Sequence, residues 1–230
     1  MRCNFLGWVM SGCLIAAPAL AAESGQPTVL ELFQSEGCSS CPPAEAVLGR
    51  IADRPDVIAL SFEVTYWDRL GWTDRFGDAA FTQRQYDYAA AINSDQVYTP
   101  QMIVNGRGRL VGTDPAEVDA ALGLYARADP GPAITVAGGA ITIGTAANAG
   151  GPASVWLVRY DPRTIAVPVE SGENGGRTLT HRNLVRALVK LGAWDGQAQR
   201  FTLPPGPPGL ATAILVQTGT AGPIVAARRL

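Results

Sequence analysis

The chain has 230 residues, a formal net charge of −2, 47% apolar residues and 17% charged ones. No basic block runs along it, which excludes the electrostatic footprint expected for nucleic acid or an anionic membrane surface. The apolar content is enough for a proper core, so a disordered chain is excluded as well.

The first residues read as an export signal. Arg2 supplies the positive start, Phe5 to Ile15 an apolar stretch, and Ala19-Leu20-Ala21 an A-x-A cleavage pattern. A lipoprotein-like box at Met10-Ser11-Gly12-Cys13 is set aside, because the apolar run before Cys13 is short and another follows it. The expectation is a signal peptide over residues 1–22 and a periplasmic or secreted protein with no membrane segment after cleavage. Four cysteines are present, and Cys3 and Cys13 fall inside that segment. Cys38 and Cys41 are then the only pair left for an oxidising compartment. Their disulfide closes a tiny loop, so stapling is a weak reason for it.

Past the signal, Thr28 to Phe33 is short, apolar and β-prone. Cys38-Ser39-Ser40-Cys41 follows, and Pro42-Pro43 then leads into Ala44-Glu45-Ala46-Val47-Leu48, a helix with prolines in its first turn. A dithiol at a helix start favours the thiolate, through unpaired N–H groups and the helix dipole. Val57 to Phe62 reads as a strand buried on both faces, and Asp78 to Ile92 as a helix. Asn105-Gly106 between Met102–Val104 and Arg109–Val111 signals a hairpin. Asp114-Pro115 places an N-cap and a first helical residue before a helix that runs to Tyr125.

Asp129-Pro130-Gly131-Pro132 reads as a linker, and beyond it lie short strands with Gly/Pro turns. Leu184 to Leu191 has helix-forming residues, but its place after strands and before Gly192 favours a strand. These patterns predict an α/β domain of helices and a mixed sheet over residues 23–128, followed by an all-β sandwich-like domain over residues 129–230.

A lone C-x-x-C admits several chemistries. Zinc needs further ligands, and outside the pair the mature chain has no cysteine and one histidine, His181. Haem attachment needs a histidine where Pro42 stands. Copper(I) on two thiolates, a structural disulfide and a redox pair all stay open. Strand–CxxC–helix favours the redox pair, because it is the thioredoxin arrangement. Tyr98-Thr99-Pro100-Gln101-Met102 resembles the second half of that arrangement. It predicts a cis bond at Thr99–Pro100, with Thr99 and Pro100 as substrate-binding residues.

The runs Glu31 to Ala44, Tyr66-Trp67-Asp68-Arg69-Leu70-Gly71-Trp72 and Val97 to Met102 resemble the exported thioredoxin-like proteins of domain-of-unknown-function family 1223. So do Asn183-Leu184-Val185-Arg186 and Leu191 to Gly196. The resemblance implies a thioredoxin-like fold, export and a thiol role. One departure is Glu63-Val64-Thr65, where such proteins usually show His-Val-Asp.

Glu31 interrupts an apolar strand seven residues before Cys38. It is either an acid buried beneath Cys41, able to exchange a proton with it, or a strand-end carboxylate facing water. Tyr66, Trp67, Trp72 and Phe76 are candidates for a peptide-binding wall, or for plain core; His181 reads as a surface residue. The functional expectation is an exported thiol–disulfide oxidoreductase with Cys38, the more exposed sulfur, attacking and Cys41 resolving. No cofactor is required, and the partner is a protein or small thiol/disulfide substrate. A non-catalytic binding module with a structural disulfide, and a copper(I)-handling protein, are the alternatives.

Overall fold

Strand β1 (Thr28–Gln34) sends alternate side chains to opposite faces of a sheet, and its sequence is apolar on both. In the computed structural model, which describes residues 26–147 and 151–230, each face is covered by helices. The signal peptide expected over residues 1–22, with Cys3 and Cys13, lies outside the described residues. Leu30 and Leu32 pack on α1 (Pro42–Ile51) and α3 (Pro115–Leu124) through Val47, Leu48, Val118 and Leu122. Val29 and Phe33 point the other way, toward Phe81 and Tyr88 of α2 (Ala79–Ala90). Phe33 stacks on Phe62, with ring centroids 5.2 Å apart, and Phe81 meets Phe62 edge-on at 5.3 Å.

The local signals act as read. Asp78 and Asp114 cap α2 and α3 by accepting from the backbone N–H of Ala80 and Ala116, each at 2.8 Å. Asn105 and Gly106 both have positive φ and join β3 (Gln101–Val104) to β4 (Gly108–Leu110). A β-carbon on Gly106 would lie 2.3 Å from the Gly222 carbonyl oxygen, so only glycine fits this turn.

The two-part architecture expected from the sequence is not what forms. Strand β1 pairs in parallel with β2 (Val57–Glu63) and antiparallel with β3. The other edge of β2 is taken by β10 (Leu184–Trp194), at Leu184 opposite Ser61. Beyond β10 come β7 (Ala153–Asp161), β12 (Ala211–Thr218) and β13 (Ile224–Arg229), all antiparallel to their neighbours. The result is one eight-stranded mixed sheet in the order β13-β12-β7-β10-β2-β1-β3-β4. It replaces a thioredoxin-like unit plus a separate β-sandwich.

The physical reason lies in β2. A strand buried on both faces and along both edges must hydrogen-bond on both sides. The first half of the chain supplies only β1, so the second half supplies the rest. The α2-side core accordingly mixes Phe33, Phe62 and Phe81 with Val158, Tyr160, Val185 and Leu215.

Two small sheets complete the fold. β5 (Ile134–Ala137), β6 (Ala140–Ile143) and β11 (Gln199–Thr202) pack through Ile134, Ile141 and Ile143 on the outer part of the large sheet. β8 (Ile165–Pro168) and β9 (Thr178–His181) form a hairpin whose Val167, Val169 and Leu179 meet Trp72 and Phe76. Among the described residues no helix is long and apolar enough to cross a membrane.

Candidate functional site

The Cys38-Ser39-Ser40-Cys41 segment links β1 to α1, and its cysteines form a disulfide with Cα atoms 5.4 Å apart. Cys41 is the N-cap of α1. The thiolate-stabilising donors expected there are fewer than the sequence suggests. Pro42 and Pro43 carry no N–H, and the N–H groups of Ala44 and Glu45 both donate to the Cys41 carbonyl.

Neither sulfur is exposed, which corrects the expectation for Cys38. Cys38 has no exposed surface and Cys41 has 1%. The loop between β8 and β9 is bonded to this segment. Buried Asn174 donates through Nδ2 to the carbonyls of Glu36 and Cys38, at 2.9 Å each. Glu173 accepts from the Ser39 N–H at 3.1 Å and from its hydroxyl at 2.6 Å. Sequence reasoning missed this loop, because Glu170 to Arg177 carries no periodicity and reads as a polar connection.

The Thr99–Pro100 bond is cis, in line with the sequence reading. Pro100 is buried, and the Trp67 indole N–H donates to the Thr99 hydroxyl at 2.8 Å. A β-carbon on Gly37 would meet that of Trp67 at 3.4 Å, so Trp67 packs beside the residue that precedes Cys38. On the other flank the Trp72 indole donates to Glu36 Oε2 at 2.6 Å. Tyr66 and Trp67 pack on the α2-side core, and Trp72 and Phe76 on the β8–β9 hairpin.

Glu31 is buried but occupies a different environment from the one expected. It alternates with Leu30 and Leu32, so it faces α2 and not α1. Its carboxylate pairs with Arg84 Nε at 2.6 Å and accepts from the Tyr88 hydroxyl. Tyr88 in turn accepts from Gln217 of β12 at 2.8 Å. The acid is committed to an ion pair on the far side of the sheet.

The α1 side carries the acids that sequence reasoning missed. Gln34, Ser61 and Glu63 share this face by register, and Glu45 reaches it from α1. Glu45 accepts from the Gln34 amide, from the Ser61 hydroxyl at 3.3 Å and from the Arg182 N–H at 2.8 Å. His181, expected at the surface, is 2% exposed and is surrounded by carboxyls. Its Nδ1 lies 3.7 Å from Glu63 and 4.0 Å from Glu45, and its Nε2 lies 3.9 Å from Glu36. Where the resembling family shows a histidine this chain has Glu63, yet an imidazole stands beside it, brought in by β9. The one signal for Glu45 was its spacing: four residues after Cys41, on the same helix face.

Burial dominates the charges here. It pushes the carboxyls of Glu36 and Glu45 up to about 7, with Asp74 adding to the effect on Glu36. Burial, with Asp74 and Glu45 nearby, holds the Glu63 carboxyl well above the usual carboxylate range. The same desolvation lowers His181 to about 4. Near neutral pH the imidazole is neutral, while Glu36 and Glu45 are poised between their charged and neutral forms. Glu36 faces one ring nitrogen while Glu45 and Glu63 face the other, so the groups do not converge on a point. Among the described residues no set of three or more His, Cys, Asp or Glu is arranged to hold a metal ion.

A cavity of about 340 Å³ opens between α1 and β9, lined by Cys41, Glu45, His181, Arg177 and Arg182 among others. Residues 29–217 match the family described as "Protein of unknown function (DUF1223)". A protein of Agrobacterium tumefaciens solved by X-ray crystallography is 32% identical to this chain. The match covers 91% of this chain and 96% of that one, with a TM-score of 0.73. HBP35 of Porphyromonas gingivalis shares the fold at a TM-score of 0.60 and 14% identity, over 90% of this chain and 75% of its own. No curated protein matches the chain.

Proposed function

The chain belongs to the DUF1223 family, a description that assigns no reaction, and from the site itself we propose that it is an exported thiol–disulfide exchange protein. The observation that carries this reading is the placement of Cys41. Cys41 is half of a disulfide, and the same residue lines a cavity with Glu45 and His181. Reducing a disulfide consumes two electrons and two protons. A carboxyl raised to about 7 on the wall of the same cavity supplies or accepts such a proton at neutral pH.

The exchange runs through a mixed disulfide. A substrate thiolate attacks one protein sulfur, the other leaves as thiolate, and a second substrate thiol completes the transfer. Run backward, the reduced pair passes its electrons to a substrate disulfide. An oxidising, exported compartment suits a mature chain whose cysteines are this one pair.

The burial of both sulfurs favours one second reading, in which the disulfide only clips the loop of a binding protein. Incubating the folded chain with a dithiol separates the two. Exchange predicts reduction with an unchanged far-ultraviolet spectrum, and loss of turnover in both Cys38→Ser and Cys41→Ser. A disulfide that resists reduction until the chain unfolds supports the clip.

A further inference from the structure

The two sulfurs differ in what surrounds them. Cys38 has no exposed surface; its carbonyl accepts from Asn174 of the β8–β9 loop, and its sulfur lies 3.4 Å from the Ser40 hydroxyl. Cys38 is absent from the lining of the cavity, whereas Cys41 belongs to it. At about 340 Å³ the cavity is at the small end of ligand pockets, which suits a molecule of a few residues and not a protein loop. Arg177 and Arg182 line it; Arg182 Nη2 pairs with Asp53 and Arg177 Nη1 donates to Asn174 Oδ1, each at 2.6 Å, while the buried Arg182 Nε has no hydrogen-bond acceptor. Of the acids, Glu45 is already held by Gln34, Ser61 and the Arg182 backbone.

Resting on the exchange reading, we propose that the substrate is a small carboxylate-bearing thiol or its disulfide, which enters this cavity and reacts at the Cys41 sulfur. The substrate thiolate bonds to Cys41 Sγ, the Cys38–Cys41 bond breaks, and Cys38 leaves as the thiolate. A second substrate thiolate then attacks the substrate sulfur of that mixed disulfide and releases Cys41. Two thiols become one disulfide. Their two protons end on Cys38 and Cys41, with Glu45 placed to pass one of them. The direction of attack is the reverse of the one expected from the sequence. The one Arg182 donor left without an acceptor, Nε, and the positive charge of Arg177 are what a substrate carboxylate would meet.

The test uses the full chain as Cys38→Ser and Cys41→Ser, each with one remaining thiol at the site. Each is treated with dithiodipropionate, which carries carboxylates, and with cystamine, which carries amines, and the adducts are followed by mass. Cys41, free in Cys38→Ser, should be labelled about tenfold or more faster than Cys38 in the other variant, and faster by dithiodipropionate than by cystamine. In urea the two thiols should label alike.

Gly49 lines the cavity on α1, and a β-carbon there meets only Arg182 Cγ, at 3.8 Å. Gly49→Phe in the Cys38→Ser background should therefore block the cavity and slow labelling about tenfold. Ala46→Trp, at an exposed lining position of the same helix, serves should Gly49→Phe fail to fold. Labelling of Cys38 at an equal or higher rate, indifference to a filled cavity, or a preference for cystamine overturns this inference and leaves exchange standing. Labelling of neither thiol in the folded chain sinks the exchange reading, and the inference with it.

Discussion

Glu45 and His181 set the pH response of the site, and their signs oppose. A carboxyl raised in the folded state stabilises the fold while protonated, and that contribution is lost as pH rises from about 4.5 through about 7. His181 is lowered, so its contribution is present above about 6.5 and lost as pH falls through about 4. Glu36 acts with Glu45, so the carboxyls win. Stability should fall by about 2 kcal/mol between roughly pH 5.5 and 8, and by less than half of that in Glu45→Gln. Urea titrations at the two pH values measure it. Glu31 behaves differently, because its partner Arg84 is a buried cation with 2% of its side chain exposed. Glu31→Gln leaves that charge uncompensated and should cost about 3 kcal/mol. The exchange rate of the folded protein should not move, since the ion pair lies across the sheet from Cys41. At this scale the sequence showed the cysteines, the caps and the cis-proline. It misassigned which face Glu31 takes, because a strand's period of two fixes alternation and not which face receives which helix.

Among the elements, the β8–β9 hairpin is bonded directly to the CxxC segment. Asn174 holds it by satisfying two backbone carbonyls at once, those of Glu36 and Cys38. Asn174→Ala leaves both unpaired and should cost about 1–3 kcal/mol. It should also raise the labelling rate of Cys38 in the Cys41→Ser background, because the loop would no longer be pinned to its carbonyl. An Asn174→Ala chain that labels Cys38 no faster would show that the loop does not limit access to it. The sequence made β8 visible as a β-branched run, and it hid β9. Thr178 and Thr180 are exposed while Leu179 and His181 are buried, so the alternation rests on a single apolar residue. Leu184 to Leu191, with helix-forming residues, became a strand because it meets β2 and β7 on either side.

For the molecule as a whole, one sheet brings the CxxC segment and His181 together from opposite halves of the chain. β10 meets β2 at Leu184, three residues after His181, and the Asn183 amide donates to the Ala59 carbonyl at 2.9 Å. The site therefore exists only when the sheet closes across the connection at residues 129–132. Composition change marked that connection correctly as a turn-rich stretch. It said nothing about pairing between strands 120 residues apart, which depends on unsatisfied edges rather than on local pattern. Assembly from both halves implies that a buried acid–imidazole cluster borders Cys41 in the folded protein, where it bears on the chemistry of the disulfide. The measurement that tests this most directly is the reduction potential of the Cys38–Cys41 couple, found by equilibrating the folded chain in thiol–disulfide buffers. Exchange activity predicts a value above about −300 mV, while a value below about −300 mV would mark a structural disulfide and contradict the account.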